Sequence, residues 1–269
     1  MLLAGLAGAV VTGISLGLVG GGGSILILPV LVYLLNVAPV EATSWSLLIV
    51  GTTSLIGVFT YARRRLINVP VAAVFTLPSL AGVALARTWL LPAIPASLEA
   101  GSLQISRGNL IMLLFAVIMI LASASMIRHR PAAASPGQQA RPGIRKMLIA
   151  AEGLLVGMVT GLVGAGGGFL IIPALVILAR IPVKEAVGTS LVIITIKSLG
   201  GFALDLTAGF QPDLILLSAV GTAAIAGLFI GNAFSGRIRP EILRPAFGWF
   251  ILLAGGGILM NQFFSGGAL

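Results

Sequence analysis

Residues 17–29 read Gly-Leu-Val-Gly-Gly-Gly-Gly-Ser-Ile-Leu-Ile-Leu-Pro, and residues 161–173 read Gly-Leu-Val-Gly-Ala-Gly-Gly-Gly-Phe-Leu-Ile-Ile-Pro. Both stretches interrupt long apolar runs. Twelve residues after each proline stands a glutamate, Glu41 and Glu185. Glycine inside a membrane segment weakens the helix and lets other groups approach the bare backbone. The reading of the whole chain turns on this pair.

Moving outward, residues 13–50 slid by 144 positions onto 157–194 give 18 identities in 38 without a gap. Gly17/Gly161, Gly20/Gly164, Pro29/Pro173, Glu41/Glu185 and Ser46/Ser190 are among them. A shift of 145 then matches Ala81-Gly82 to Ala226-Gly227. Apolar sequences resemble one another by composition, but an ungapped match of Gly, Pro and Glu points to duplication, a common build of secondary transporters.

Composition sets the class. Of 269 residues, 58% are hydrophobic and 9% charged. A soluble domain carries about 25% charged residues, so this chain cannot cover itself with polar surface. The net charge is +9, with the basic residues clustered between apolar runs, as in loops facing anionic lipid. That pattern argues against a nucleic-acid partner. The chain has no cysteine, which excludes disulfides and thiol chemistry. It has one histidine, His129, in a basic segment; no metal site or cofactor is expected. The N-terminus lacks a positive n-region and reads as a retained membrane segment.

Apolar runs occupy 2–35, 44–62, 68–87 and 108–127, then 147–179, 187–204, 213–232 and 244–263. Between the two sets lies 128–146, rich in Pro, Gly and charge, which marks a linker. The expected organisation is a first transmembrane repeat over 1–127, a basic linker over 128–146 and a second repeat over 147–269. The fold class is an all-α polytopic membrane protein with two homologous, inverted repeats, each opening on a glycine-broken segment.

The doubled Gly-Leu-Val-Gly-x-Gly-Gly pattern, its Pro and its Glu-Ala pair, set around a basic linker, resemble the TauE/SafE family over nearly the whole chain. The resemblance implies a permease of the bacterial cytoplasmic membrane that moves sulfite, sulfonates or other small sulfur-containing anions. Lys197, where the first repeat has Thr53, is not part of that pattern.

Residues 2–35 would make a straight helix of about 51 Å at 1.5 Å per residue, against a hydrocarbon core of about 30 Å. The segment either kinks strongly or turns back. With four crossings per repeat, basic residues divide eight to seven across the membrane. With a hairpin and three crossings, thirteen fall on one side, only Arg87 and Arg107 on the other, and Lys197 in the membrane. The positive-inside tendency favours the hairpin. The twelve residues after each cluster reach about 18 Å, so the glycine tips are expected to meet near the midplane.

Glycine tips expose N–H groups, and a helix starting there points its positive end at them. Gly20, Gly21, Gly22, Gly23 and Ser24, with Gly164, Gly166, Gly167 and Gly168, are therefore candidates to hold a small oxyanion. The alternative is close helix packing, the expected role of Gly82 and the Gly227/Gly231 pair. Ser46, Thr53, Thr189 and Ser190 could line the path or bond the carbonyl one turn back. Lys197 is the one basic residue deep in an apolar run and a natural partner for an anion; pairing with Asp205 along its own helix is poor at about 12 Å. Glu41 and Glu185 could carry coupling protons or favour the starts of their helices. No nucleotide loop, metal set or paired-carboxylate site appears. A transporter is thus expected in preference to an enzyme, with a small anion and the lipid bilayer as partners. A homo-oligomer is compatible with the sequence. The rival is a non-transporting membrane scaffold, which would not need two matched glycine breaks.

Overall fold

The computed structural model describes residues 1–100, 103–128, 142–234 and 240–265. Among the described residues the regular structure is helical apart from one short antiparallel strand pair, Ser97–Ala100 with Leu103–Ser106, in the Pro-rich connector. The first segment is α1 (Leu2–Val19), then a return arm built of a 3-10 turn (Gly21–Leu26), α2 (Ile27–Pro29) and a π turn (Val30–Leu34). α3 (Pro39–Arg63) and α4 (Val69–Leu85) follow; α4 runs on through a π turn (Ala86–Leu90) into α5 (Leu91–Ala93). α6 (Arg107–Arg128) ends the first half. The second half is α7 (Pro142–Val163), α8 (Gly168–Ile177), α9 (Val183–Thr207), α10 (Leu214–Phe234) and α11 (Pro240–Ser265). α7 begins inside the basic segment 128–146, at a proline, a residue suited to the first helical turn. The rest of that segment, 129–141, lies outside the described residues.

Local sequence explains the breaks, and they recur at the same spacing. Gly20 and Gly164 take φ of 76° and 75°, and Asn36 and Arg180 take 54° and 48°. Val37 N–H reaches Leu31 O as Ile181 N–H reaches Leu175 O, and Leu66 to Tyr61 matches Phe210 to Asp205. All are 144 apart. One residue later in register, Asn68 accepts from Val71 N–H and Asp213 accepts from Leu216 N–H, side-chain caps at the starts of α4 and α10. The halves repeat each other in backbone detail, with an extra residue before α10.

Packing direction decides the hairpin question. α1 lies along α10 in the same sense: Gly13 abuts Ala224 and Gly17 abuts Leu228. α7 lies along α4 in the same sense, with Gly153, Gly157 and Gly161 against Phe75, Ser79 and Val83. α3 and α9 run opposite ways, Gly51 against Leu199 and Gly57 against Leu191. So do α6 and α11, Gly255 against Met119 and Gly248 against Ile127. Short turns make α4 oppose α3 and α10 oppose α9. Hence α1 runs in the sense of α3, and α7 in the sense of α9. In each half the chain must come back between its first helix and its first long crossing. The return is seen directly: Gly5 abuts Leu35, Gly8 abuts Leu34 and Gly23 abuts Leu16. Close approach of small residues, including Gly82, Gly227 and Gly231, holds the swapped pairs.

The tips do not meet at the midplane; they pass one another. Gly20 lies against Val187, near the start of α9, and Gly164 lies against Thr43, near the start of α3. Each arm is longer than the residues after the glycines alone: α1 has 18 residues, about 27 Å. The chains cross just beyond the tips, where Gly166 faces Ser24, Val50 and Ile194, the last two at the middle of α3 and α9. Arg87 is also not in an outer loop. It is in the π turn that continues α4, 6% exposed.

Six helices among the described residues are long and apolar enough to span a bilayer. Leu77, Ile215 and Leu253 are 72%, 83% and 73% exposed, as lipid-facing residues are. The helix senses put the ends at Arg63, Arg128, Pro142, Val183 and Pro240 on one side, and the start of α1 at Leu2 and the end of α11 at Ser265 on the other. The basic clusters assign the first side to the cytoplasm. A periplasm-active reporter fused after residue 265 should therefore be active and a cytoplasm-active one silent, with the reverse in the 129–141 segment. A cytoplasmic C-terminus would overturn this orientation.

Candidate functional site

The centre of the bundle lies where α8 starts. Gly167 adopts the left-handed conformation, φ 70° and ψ 13°, and starts the helix. Its carbonyl accepts from Leu170 and Ile171 N–H, both at 3.0 Å. The Gly168 and Phe169 N–H groups, ahead of those two bonds, have no carbonyl behind them within the helix, and the helix dipole makes that end positive. Lys197 of α9 meets this end. It is 1% exposed, and its Nζ lies 3.0 Å from where a Cβ on Gly167 would stand. The ammonium donates to Thr160 Oγ1 of α7 at 2.6 Å, which itself donates to Val156 O at 2.7 Å. Among the described residues no carboxylate lies within ion-pairing distance of Lys197.

The candidates divide around this point. Gly166, Gly167, Gly168, Ser24 and Lys197 are buried together at the crossing. Gly21, Gly22 and Gly23 form the 3-10 turn that leads to Ser24. Gly20 and Gly164 are turn-makers at the two tips, beyond the centre. Ser46 holds the second tip: its Oγ is within hydrogen-bonding reach of the carbonyls of Thr43 and Gly164. Ser190 bonds Val187 O at 2.8 Å, the residue that touches Gly20. Thr53 bonds Ile49 O at 2.7 Å, one turn back. Thr189 accepts from Asn68 N–H at 2.9 Å and so ties α9 to the start of α4, away from the centre. Glu41 and Glu185 sit in the first turns of α3 and α9, where a carboxylate stabilises the helix end. Glu41 is exposed.

Sequence reasoning missed several polar groups. Thr160 was hidden because a threonine in an apolar run carries no signal of a tertiary partner. Ser54 and Ser198, 144 apart, hold buried hydroxyls without a partner. Arg87 Nη1 lies 3.0 Å from Asp205 Oδ2 and 3.1 Å from Ser44 Oγ. The signal for Arg87 was present in Trp89, Leu90 and Leu91, which carry the apolar run past the arginine. Glu152 of α7 faces a cleft of about 460 Å³ lined by Ile118, Phe169 and Leu178, with Oε2 buried and unpartnered.

Comparison with known proteins finds membrane transporters. The sequence model of the family described as "Sulfite exporter TauE/SafE" matches residues 5–258. A "Probable membrane transporter protein" of Xylella fastidiosa is 30% identical over 248 residues, 89% of this chain and 88% of the relative. The "Probable membrane transporter protein YunE" of Bacillus subtilis is 26% identical over 271 residues, 92% of this chain and 93% of the relative. No solved structure matches the chain.

Proposed function

The chain belongs to the sulfite exporter TauE/SafE family, a multi-pass membrane transporter and not an enzyme, and from that premise we propose that its cargo is a small sulfur-containing anion such as sulfite or an organosulfonate. The observation that carries the anion preference is the meeting of Lys197 with the start of α8. Two positive features, both buried and with no carboxylate between them, repel each other in a medium of low dielectric. An anion between them turns both into favourable contacts. Gly166, Gly167 and Gly168 carry no side chain to keep a ligand from the backbone, and Ser24 faces Gly166 from the other hairpin. A sulfite or sulfonate group offers three oxygens on one centre, which suits several convergent donors. The choice of sulfur rests on the family's name; the choice of an anion rests on these residues as well.

In this reading Gly20 and Gly164 set the turns, Ser46 and Ser190 fix the tips, and Thr53 and Thr189 brace their helices. Reconstituted into liposomes, the protein should move radiolabelled sulfite or methanesulfonate faster than protein-free vesicles do. Sulfate and small carboxylates should compete more weakly. Transport confined to cations or uncharged solutes would overturn the proposal.

A further inference from the structure

Arg87 has bonding capacity that the protein does not use. Its Nη1 is shared by Asp205 and Ser44, whereas Nε and Nη2 are buried with no partner. A guanidinium has five donors in a rigid fork suited to oxyanions, and leaving buried donors unmade is costly. The position matters too. Gly164, at the tip of the second hairpin, abuts Thr43, next to Ser44, and Gly161 abuts Ala86, next to Arg87. Arg87 thus sits beside that tip. Asp205 is eight residues along α9 from Lys197, about 12 Å toward the side of the bundle where α1 starts and α11 ends.

We propose that Arg87 is a second anion-binding group, and that the anion takes it from Asp205 as Asp205 takes up a proton. The reasoning rests on the anion reading above. A carboxylate and an anion on one buried guanidinium would be like charges a few ångströms apart, a combination a low-dielectric site disfavours strongly. A proton from the adjoining aqueous phase, bound at Asp205 Oδ2, removes the conflict. The Nη1–Oδ2 ion pair breaks, and the anion accepts from the freed guanidinium. One proton and one monovalent anion enter together, so the charge of the site is unchanged.

The other groups around Asp205 do not compete for this role. From α3 it meets Ser44, which also accepts from Arg87 Nη1; Glu41 on that helix is exposed in the first turn, and Tyr61 and Arg63 are at the far end. From the α4 side it meets Arg87, the one charged residue of residues 69–93. α8 and the 3-10 turn Gly21–Leu26 carry no titratable side chain. On α9 itself Lys197 is two turns away. Glu41 and Glu185, at helix starts, are accordingly replaced by Asp205 as the coupling carboxylate.

The test is binding of methanesulfonate, which stays ionised across the range, to the purified full chain between pH 5.5 and 8.5. One proton taken up per anion makes the wild-type Kd rise by about tenfold per pH unit above the Asp205 titration. Asp205→Asn mimics the protonated acid, so its Kd should be as tight as the wild type at low pH and flat with pH. Arg87→Gln combined with Asp205→Asn leaves no orphan charge to disturb folding; it should bind at least about tenfold more weakly than Asp205→Asn, also without pH dependence. A wild-type slope that survives in Asp205→Asn, or a double variant as tight as Asp205→Asn, overturns the proposal. Wild-type binding with a flat pH profile overturns it while leaving the anion reading intact. No binding of methanesulfonate, sulfite or sulfate by the wild type removes both.

Discussion

Gly166→Val is expected to lower transport by about tenfold to a hundredfold while the protein still inserts and elutes as a folded species. A Cβ at position 166 would stand inside the van der Waals shell of Val50 and 3.1 Å from both Ile194 Cγ2 and Ser24 Cβ. Valine adds two further methyl groups at a place where all three neighbours are buried. Overpacking of this kind costs about 1–3 kcal/mol, and each 1.4 kcal/mol is a factor of ten. The strain falls where the two hairpins cross, and so acts on the conformations that open and close the centre more than on the outer helix pairs. Gly221→Ala is the control, because nothing lies within 4 Å of a Cβ there; it should leave transport unchanged. Equal rates for Gly166→Val and the control would reduce the crossing glycines to packing devices.

Much of this architecture can be read from sequence because the duplication is written in residues with backbone consequences. Gly20 and Gly164, and Asn36 and Arg180, occupy matched positive-φ positions, so an ungapped identity plot already carries the turns. The charge asymmetry carries the hairpin, since it counts crossings without knowing packing. Depth was not legible. The reach of a hairpin depends on both arms, and the pairing of α1 with α10 and α7 with α4 is a tertiary fact that no periodicity encodes. The site divides the same way. Lys197 stands out as a lone charge in an apolar run, but its partner Thr160 and its place beside Gly167 arise from α7, α8 and α9 coming together. For Thr53 and Thr189 the sequence leaves path lining and backbone bonding equally open, and the structure shows the hydroxyl of each in a hydrogen bond with a backbone group. By composition a charge that ends an apolar run reads as a loop residue, whereas at Arg87 the helix continues through it and a buried aspartate receives it.

Lys197→Met is the second large effect expected, and it separates binding from folding. Methionine keeps the length and the apolar stem and removes the ammonium. Inserting a lysine at such depth costs roughly 2.5–3.5 kcal/mol, so the variant should express as well as the wild type or better. If the ammonium and the start of α8 hold the anion between them, its loss removes a buried charge-assisted contact worth about 2–5 kcal/mol, and Kd should rise by at least about thirtyfold. Thr160→Val gives the contrast. It takes away the hydroxyl that receives the lysine but leaves the charge, so the anion becomes the better remaining partner and affinity should hold or tighten. Thr53→Lys, at the matching position of the first half, should not restore Lys197→Met, because Thr53 packs against its own helix one turn from Val50. In the wild-type background it would add a second buried cation. The structure makes the centre asymmetric: one half supplies the ammonium and a regular helix start at α8, and the other supplies Ser24 on an irregular 3-10 arm. An unchanged Kd in Lys197→Met would take the lysine out of the site and leave its burial to be explained by Thr160 alone.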